Sequence, residues 1–475
     1  MLQVMLVFEK VNEDNVLKLR PFFDMKKARF CDFTVGIVYI WRHVFRIEYC
    51  IHCDTLIMKI DYGDHKTCFY YPVGENTDEA FKAIREYALV NKNGLEFCGL
   101  TKDEVSDLQK RFPQNKVFSH RDWCDYLYDI ADHVSFSGKT LANKRNLFNR
   151  FCSDYPQHHF REAEQSDDPR VDDFYDRYEA TLLTPSTNLL VEIKETRRLF
   201  SIRSSLGLRG FLIEIDGIIV GVSLIEIVGD ILFVHVEKAI SSFNGIYQAL
   251  VHYVANEFKD SVKYINREED DGVEGLRKSK LQYKPVELLS KNFFIVCNNI
   301  TLINSLPNLQ TPRLILTALE TQYQDDYYNM VIDDQLNEFW GYDYRSDLNS
   351  NVLTSDYLYN EVKNDLRTNS NFSLIIIDKM TKDFLGEIVL HNFNDRNHVE
   401  IGIRLITPQQ GKGYARESMN AVLNYLFEEI GISSVFANCY KENKSSQNLF
   451  LSLGFKQLDS DTKKHYFRLD NRLVN

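Results

Sequence analysis

The chain has 475 residues, of which 44% are hydrophobic and 26% charged, and its formal net charge is −12. Because a single hydrophobic core rarely extends beyond ~250–300 residues, this length predicts two to four domains. The acidic balance excludes a protein shaped as a whole for DNA or an anionic membrane surface. No apolar run reaches the ~18 residues of a membrane span, and the N-terminus has no basic leader, so we expect a cytoplasmic protein.

Strand-like and helix-like segments alternate along the whole chain, which predicts an α/β fold with mixed sheets. One plan (helices, a β-meander, then a helix) recurs three times. The boundaries that we predict are a first subdomain over 1–128, a second over 129–298, a linker over 299–312 and a last domain over 313–475. The linker is placed where proline and asparagine interrupt the periodicity in "NITLINSLPNLQTPR".

The nine cysteines are odd in number and irregularly spaced, which argues against a disulfide framework. The pair Cys50 and Cys53 in "CIHC" raises the hypothesis of metal or redox chemistry. No second Cys/His pair follows at zinc-site spacing, and the segment alternates like a strand. We therefore favour a structural role for this pair and predict no metal.

The segment "QQGKGYARESMNAVLNYLF" carries the clearest chemical signal. The preceding "HVEIGIRLITP" alternates like a half-buried strand, and apolar residues at helical spacing follow the glycines. The glycine loop therefore joins a strand to a helix N-terminus, where unpaired N–H groups and the helix dipole favour an anion. It is not a Walker A loop, because the upstream glycine and the Ser/Thr after Gly-Lys are missing.

The pattern Gln/Arg-x-x-Gly-x-Gly/Ala is met by Gln410, Gly413 and Ala415, and it resembles the pyrophosphate loop of GNAT acyltransferases. "TPRLILTAL", "FLGEIVLHNF", "VEIGIRLI" and "NKSSQNLFLSLGF" resemble further segments of the RimJ/RimL-like branch, in the right order. The resemblance spans nearly all of 310–475. It implies a GNAT fold, acetyl-CoA as the acyl donor, and transfer of acetyl to a primary amine of a small molecule or a protein N-terminus.

The same resemblance implies a set of cofactor-binding residues. Backbone groups of one strand end would pair with the pantetheine arm, the loop would bind the pyrophosphate, and an asparagine would lie beside the arm. These residues are, in turn, Arg404, Leu405 and Ile406; Gln410, Gly411, Lys412, Gly413, Tyr414 and Ala415; and Asn443.

Acyl transfer to an amine needs a group that takes the amine's proton. Glu400, on the strand that leads into the loop, is the first candidate base and Glu387 the second; a structural carboxylate on the open face of the sheet is the alternative for Glu400. By its motif position, Ser446 would protonate the leaving thiolate, unless it only hydrogen-bonds at the helix start. Tyr440 is the alternative acid.

The segment "NEFWGYDYR" is a candidate acceptor-side loop, with Trp340 and Tyr342 as walls. An aromatic core segment is the alternative interpretation. The sequence does not name the acceptor.

In the first 300 residues, "FSGKTLANKRNLFNRF", "HVEKAISSFNGIYQAL" and "INREEDDGVEGLRKSKLQYKP" resemble an uncharacterised bacterial family related to the catalytic half of phosphatidylglycerol lysyltransferases. The resemblance covers roughly residues 1–298 and implies two GNAT-like folds in tandem, so that the chain would hold three in series. That family is similar to aminoacyl-tRNA-dependent transferases. The lipid-modifying relatives carry a large membrane region, which this chain lacks.

If this half is active, it would transfer an acyl or aminoacyl group. Lys144, Arg145, Arg277 and Lys280 are candidate contacts to phosphates of an aminoacyl-tRNA or of a CoA; ordinary surface charge is the alternative. Only Gly245 remains of a glycine loop here, which argues against ordinary acetyl-CoA use. A different class of function also stays open, in which the chain binds acetyl-CoA or tRNA as a sensor or scaffold without turnover.

Overall fold

A computed structural model describes residues 6–61, 67–91, 94–340 and 353–471. Three mixed β-sheets, each covered by helices, follow one another along the chain. The elements of the first part are β1 (Glu9–Lys10), α1 (Arg20–Lys26), α2 (Val35–Trp41), β2 (Glu48–His52), β3 (Thr55–Asp61), β4 (Thr67–Tyr70), β5 (Val73–Gly74), α3 (Thr77–Asn91), β6 (Leu95–Leu100), α4 (Lys102–Arg111) and β7 (Asn115–Ser119).

The second part contains the longest meander. Its elements are β8 (Asp125–Asp129), α5 (Ile130–Ser135), α6 (Ala142–Asp154), β9 (His159–Glu162), α7 (Asp168–Glu179), α8 (Thr187–Ile202), β10 (Arg209–Ile215), β11 (Ile218–Val228), β12 (Ile231–Ala239), α9 (Ile246–Phe258), β13 (Tyr264–Asn266), α10 (Glu274–Leu281), β14 (Glu287–Leu289) and β15 (Asn292–Val296).

The last part follows a short 3-10 helix. Its elements are β16 (Leu309–Gln310), β17 (Leu314–Ala318), α11 (Gln324–Ile332), α12 (Ser355–Thr368), β18 (Phe372–Asp378), β19 (Phe384–His391), β20 (His398–Leu405), α13 (Tyr414–Asn424) with a π-helical turn at Tyr425–Ile430, β21 (Ser434–Tyr440), α14 (Lys444–Ser452), β22 (Lys456–Gln457) and β23 (Lys464–Asp470).

The three sheets share one design, a meander of antiparallel strands that ends in a parallel pair. Their strand orders are β1-β2-β3-β4-β6-β15-β7, with β5 alongside β3; β14-β8-β13-β12-β11-β10-β9; and β16-β17-β18-β19-β20-β21-β23-β22. The parallel pairs are β4 with β6, β12 with β13, and β20 with β21. The predicted mixed α/β class, with three GNAT-like folds in series, is confirmed.

The first sheet contains one strand that follows the second meander in the chain. β15 comes after the whole second meander, yet it lies between β6 and β7 in the first sheet. The predicted boundary between 128 and 129 falls inside β8, which belongs to the second sheet. Strand periodicity indicates that a segment is extended but not which sheet it joins. The sequence therefore could not show that β15 belongs to the first sheet. One hydrophobic core, with Tyr39, Leu199 and Val222 among its members, joins the two halves into a tandem unit.

The predicted linker over 299–312 begins with an ordered, buried segment. Asn299–Leu302 forms a 3-10 helix whose apolar residues are buried. Ile300 and Ile303 pack into the core of the third module, whereas Leu302 packs into the core of the first. The segment therefore packs between the cores of the first and third modules. Among the described residues, no helix is both long and apolar enough to cross a membrane.

The third sheet separates two cores. One face carries Ile401 and Leu405 of β20 against α13. The opposite face carries residues such as Ile375 against α11 and α12. Because side chains alternate along a strand, Glu400, Gly402 and Arg404 lie on the α11 side and the glycine loop leads to the helix on the other side.

Candidate active site

The strands β20 and β21 form an opening in the third sheet. They pair in parallel over only three residues each, from His398 opposite Ser434 to Glu400 opposite Phe436. Beyond this point β20 continues to Leu405 and β21 to Tyr440 with no pairing between them. The backbone edges that face each other across this gap are available to an extended ligand, because a strand edge presents unpaired N–H and C=O groups.

Glu400 lies at the last paired position, at the root of the opening. Its carboxylate accepts hydrogen bonds from two amides, Asn392 Nδ2 at 2.8 Å and Asn438 Nδ2. Within the described part of the chain no ion pair involves Glu400. The carboxylate is thus oriented by two neutral donors, one just after β19 and one within β21.

Glu387 has a different environment, although it lies on the same face. It is fully buried and accepts from Arg404 Nε at 2.7 Å and from the Tyr327 hydroxyl at 3.0 Å. The Arg404 guanidinium also donates to Asn337 Oδ1 and lies 4.4 Å from the Trp340 ring. Both oxygens of Glu387 therefore serve an internal network, which disfavours the second candidate base.

The strand-end residues divide between the two sides of β20. Ile406 N–H donates to Leu385 O at 3.0 Å, so this group faces β19. Backbone groups of a strand alternate in direction, so the Leu405 carbonyl faces away from β19, where Gln410 Nε2 donates to it at 3.0 Å. Of the three residues expected to meet a pantetheine arm, Leu405 faces the required side. Arg404 contributes its side chain to the buried network instead.

The predicted anion loop is open to solvent. Gly411, Lys412 and Gly413 are exposed, and Gly413 has φ +82° as the residue before α13. A Cβ atom at Gly413 would meet only Arg313 Nη2, at 3.4 Å, and one at Gly411 would meet nothing within 4 Å. Space for an anion therefore exists above the first N–H groups of α13.

Arg313 supports this loop and was not singled out by the sequence. Its Nη1 donates to Lys412 O at 3.0 Å, its Nε pairs with Glu417 at 2.7 Å, and its guanidinium lies 4.5 Å from the Tyr414 ring. About one hundred residues separate Arg313 from the loop, so only the fold brings its positive charge beside the helix N-terminus.

The other predicted groups lie along β21 and α14. Asn443 precedes α14, and its side chain caps this helix by accepting from the Ser446 backbone N–H at 3.0 Å. Ser446 is half-buried. Tyr440, at the end of β21, contacts the Phe339 ring with centroids 5.9 Å apart.

Trp340, one of the two predicted walls, packs against β20. An added Cβ atom at Gly402 would lie 3.2 Å from its ring, so the indole covers β20 just beyond Glu400. Tyr342, the second predicted wall, lies outside the described residues.

The equivalent place in the second module is closed. Gly245 precedes α9 with φ +88°, as Gly413 precedes α13, but a Cβ atom there would be 2.2 Å from Leu147 O of α6. Helix α6 therefore covers the N-terminus of α9. The sequence prediction that this half does not use acetyl-CoA in the ordinary way stays a prediction.

Two ion pairs also bridge the gap between β12 and β13 in this module. His235 Nδ1 lies 2.8 Å from Glu268 Oε1, and Arg267 Nη2 lies 2.7 Å from Glu237 Oε1. Parallel pairing ends at Phe233 and Asn266, so these four side chains reach across the positions that remain open in the third module.

The four basic residues predicted to bind phosphates are engaged within the protein. Lys144 and Lys280 are buried; Lys144 Nζ donates to Gln282 Oε1 at 3.0 Å, and Lys280 Nζ donates to backbone carbonyls, including Glu269 O at 2.5 Å. Burial lowers the pKa of Lys144 to about 8 and also lowers the pKa of Lys280.

The two arginines of this set also have partners within the protein, carboxylates for Arg277 and backbone carbonyls for Arg145. Arg277 pairs with Asp270 at 2.7 Å and also with Asp122, and Arg145 donates to Phe136 O at 2.5 Å. The structure therefore gives no support to a phosphate-binding surface made of these four residues. A cluster of basic residues in a sequence does not show which side chains are buried. For this reason the sequence pointed to these four residues.

A buried charge cluster that no sequence motif indicated lies where the first two modules meet. The Lys291 ammonium contacts Asp32 at 2.5 Å, Asp125 at 2.8 Å and also Glu269. Cys31, Asp32 and Glu269 lie close enough together to hold a metal ion, but the Lys291 ammonium lies among these groups. A structural ion-pair centre accounts for this cluster.

The comparisons with known proteins agree with this division of the chain. The family model "Phosphatidylglycerol lysyltransferase, C-terminal" matches residues 24–294, more than half of the chain. The chain belongs to this lysyltransferase C-terminal family. Beyond that lysyltransferase-family unit, the family model "Acetyltransferase (GNAT) domain" matches residues 313–456, so the third module is an acyltransferase domain.

Similar proteins cover one part or the other. Two uncharacterized N-acetyltransferases of Bacillus subtilis (strain 168) match: YoaA is 27% identical over 155 residues (32% of this chain, 84% of that protein), and YnaD is 28% identical over 123 residues (24% and 71%). A crystal structure of a conserved protein of unknown function from Bacteroides thetaiotaomicron VPI-5482 is 26% identical, covers 62% of this chain and 100% of its own, and has a TM-score of 0.56.

Proposed function

We propose that the third module is an N-acetyltransferase that takes acetyl from acetyl-CoA and transfers it to a primary amine. The observation that carries this proposal is the combination, in one sheet, of an open gap between β20 and β21, an uncovered glycine loop and a carboxylate at the root of the gap. The similarity to two N-acetyltransferases supports it.

The loop and the opening would hold the donor. N–H groups at the start of α13 would bind the pyrophosphate, and Arg313 would add positive charge beside them. The Leu405 carbonyl would accept from the pantetheine arm after Gln410 releases it. Trp340 and Phe339 would exclude water from the side of β20 where an acceptor enters.

Glu400 would take the proton of the amine. The amine nitrogen forms a bond to the thioester carbonyl carbon, the carbon–sulfur bond breaks, and the amine proton moves to Glu400 directly or through a water. The leaving thiolate would receive a proton from Ser446 or Tyr440. Asn392 and Asn438 would keep the Glu400 carboxylate pointed at the gap throughout.

Turnover by full-length protein and a Glu400→Gln variant tests this proposal. We expect wild-type protein to release thiol from acetyl-CoA with at least one member of a panel of primary amines. Because general-base catalysis contributes ~10²–10⁴-fold, Glu400→Gln should lower kcat by about that factor and leave the KM for acetyl-CoA within about twofold.

Glu428→Gln is the matched control, because Glu428 is an exposed glutamate after α13 and away from the gap. This variant should behave as wild type. Acetyl-CoA binding without turnover in wild-type protein would instead favour the sensor or scaffold alternative. Unchanged kcat in Glu400→Gln would remove Glu400 as the base.

A further inference from the structure

The junction between the lysyltransferase-family unit and the third module contains a buried asparagine. β15 ends at Val296, and Cys297 N–H still donates to Gln114 O of the first module at 2.9 Å. The next residue, Asn298, has no exposed surface. Its Nδ2 donates to two backbone carbonyls of the third module, Asn394 O at 3.0 Å and His398 O at 2.7 Å.

Asn299 continues these contacts. Its N–H donates to Asn397 Oδ1 at 2.9 Å, and its Nδ2 donates to Ile430 O at 3.1 Å. Asn397 is in turn linked to the same region as Ile430, because its Nδ2 donates to Gly431 O at 2.9 Å and its carbonyl accepts from Ser433 N–H at 3.0 Å.

These bonds converge on the beginnings of two particular strands. His398 is the first residue of β20, and Ser433 immediately precedes β21. The two strands pair over only three residues from this point, and the last paired residue of β20 is Glu400. The angle at which the strands separate, and with it the position of Glu400, is therefore set at a point held by Asn298 and Asn299.

We propose that Asn298 and Asn299 are positioning residues for the acyl-transfer site, through which the N-terminal unit sets the geometry of the gap between β20 and β21. This inference rests on the proposed function, since it concerns the same site. Neither asparagine touches the reacting atoms. They act through the two strand beginnings that they join to the last strand of the N-terminal unit.

A second contact across the same interface provides a matched control. Asn304 Nδ2 donates to Lys82 O of α3 at 3.3 Å, and this contact is exposed. It joins the same two parts of the chain but bonds to neither β20 nor β21. If the junction only attached one part to the other, removing either asparagine side chain would have similar effects on activity.

Steady-state kinetics of full-length Asn298→Ala and Asn304→Ala with acetyl-CoA and the best amine of the panel test the proposal. A displacement near 1 Å in an active site can cost ~10²-fold in rate, so we expect Asn298→Ala to lower kcat by about 10- to 100-fold. The dissociation constant for acetyl-CoA should rise much less than kcat falls, because the loop at Gly413, which would bind the pyrophosphate, lies beyond the opposite end of β20. Asn304→Ala should match wild type in both.

Equal kcat values for Asn298→Ala and wild type would overturn the proposal. So would a loss of acetyl-CoA affinity equal to the loss of kcat, because that pattern indicates general damage to the module. If Asn298→Ala does not fold, Asn299→Ala takes its place, since it removes only the bond to Ile430 O and keeps the backbone bond to Asn397.

Amide hydrogen exchange gives a readout that does not depend on turnover. In Asn298→Ala we expect the amides of β20 and β21 to exchange at least tenfold faster than in wild type, and those of β10 and β11 to exchange at the wild-type rate. Wild-type exchange rates in β20 and β21 of the variant would contradict the proposal. If wild-type protein neither binds nor turns over acetyl-CoA, the proposed function fails, whereas the exchange result still decides whether these asparagines hold the strands.

Discussion

At the residue scale, the site depends on two glutamates that share one face of a sheet. Glu400 is half-buried and held by two amides, whereas Glu387 is enclosed by Arg404 and Tyr327. A carboxylate between neutral donors can exchange a proton with a substrate. A carboxylate bound to a buried guanidinium mainly offsets the cost of burying that positive charge.

This difference predicts opposite results for two matched substitutions. Glu387→Gln leaves the Arg404 charge buried without its counter-ion, and breaking such a pair costs about 3–5 kcal/mol. We therefore expect a clearly lower unfolding temperature for the third module in Glu387→Gln. Glu400→Gln should change that temperature little and lower turnover instead. Differential scanning calorimetry of both variants measures this, and equal thermal stability would contradict the assigned roles.

Strand alternation and the glycine loop led to Glu400 and Gly413, and the structure places Glu400 beside an open gap and leaves Gly413 exposed; their roles stay predictions. Sequence reasoning could not show the contacts of Lys144, Arg145, Arg277 and Lys280, because whether a basic side chain points to solvent or to a buried carbonyl depends on tertiary packing. It also gave no indication of Asn392 and Asn438, which hold Glu400. An asparagine that forms such a bond looks the same in a sequence as one in a surface turn.

At the element scale, the same strand–loop–helix unit occurs in the second and third modules with different outcomes. Both helices begin after a glycine at positive φ, Gly245 and Gly413. In the second module helix α6 covers the helix start and ion pairs cross the gap, whereas in the third module both places are open. The meander fixes the architecture, and the elements added around it decide whether a ligand can enter.

His235, which pairs with Glu268 at this closed gap, is also linked to the first module through Glu226. Glu226 of β11 contacts His235 Nε2 at 3.1 Å, accepts from the N–H groups of Val35 and Gly36 in α2, and lies 3.3 Å from Arg20. Burial works against a charged His235, but hydrogen bonds to Glu226 and Glu268 outweigh it and raise the pKa of His235 to about 9.

This pKa predicts a pH dependence of stability. The ordinary value is 6.5, so protonation of His235 stabilises the fold fully below about pH 6.5, and this contribution is lost as the pH rises through 9. The shift corresponds to about 3 kcal/mol. We expect the unfolding temperature of the N-terminal unit to fall between pH 6.5 and 9 in wild-type protein.

His235→Gln should flatten that dependence, because glutamine does not titrate. His159→Gln is the control, since His159 is exposed on β9 and should leave the slope as in wild type. Scanning calorimetry at half-unit pH steps measures all three proteins. A wild-type slope that persists in His235→Gln would contradict the role given to this pair.

Local elements were largely predictable, because their signals are local. The periodicity of "HVEIGIRL" gives β20, and Asp216-Gly217 forms the turn between β10 and β11, with both residues at positive φ. The pairing of β15 within the first sheet was not predictable, since its partners β6 and β7 lie far away in sequence. The sequence of the 3-10 helix after Asn298 does not show that its apolar residues pack into two different cores.

At the scale of the whole molecule, a tandem unit of the lysyltransferase C-terminal family supports a third module with the open site. The 3-10 helix at the junction packs into the cores of both parts, and Asn298 bonds to the start of β20. The N-terminal unit is therefore in direct contact with the third module's sheet. The modules of similar design therefore differ at this gap. Charged side chains cross it in the second module, and it is open in the third.

The most direct test of this account is acetyl-CoA binding by calorimetry to full-length wild type, Gly413→Asp and Gly217→Asp. Both glycines have similar positive φ values, +82° and +76°, and a Cβ atom at Gly217 would meet nothing within 4 Å, so the control adds the same charge and backbone strain away from the loop. We predict micromolar binding by wild type and Gly217→Asp and at least tenfold weaker binding by Gly413→Asp. Undiminished binding by Gly413→Asp, or none by wild type, would contradict the account.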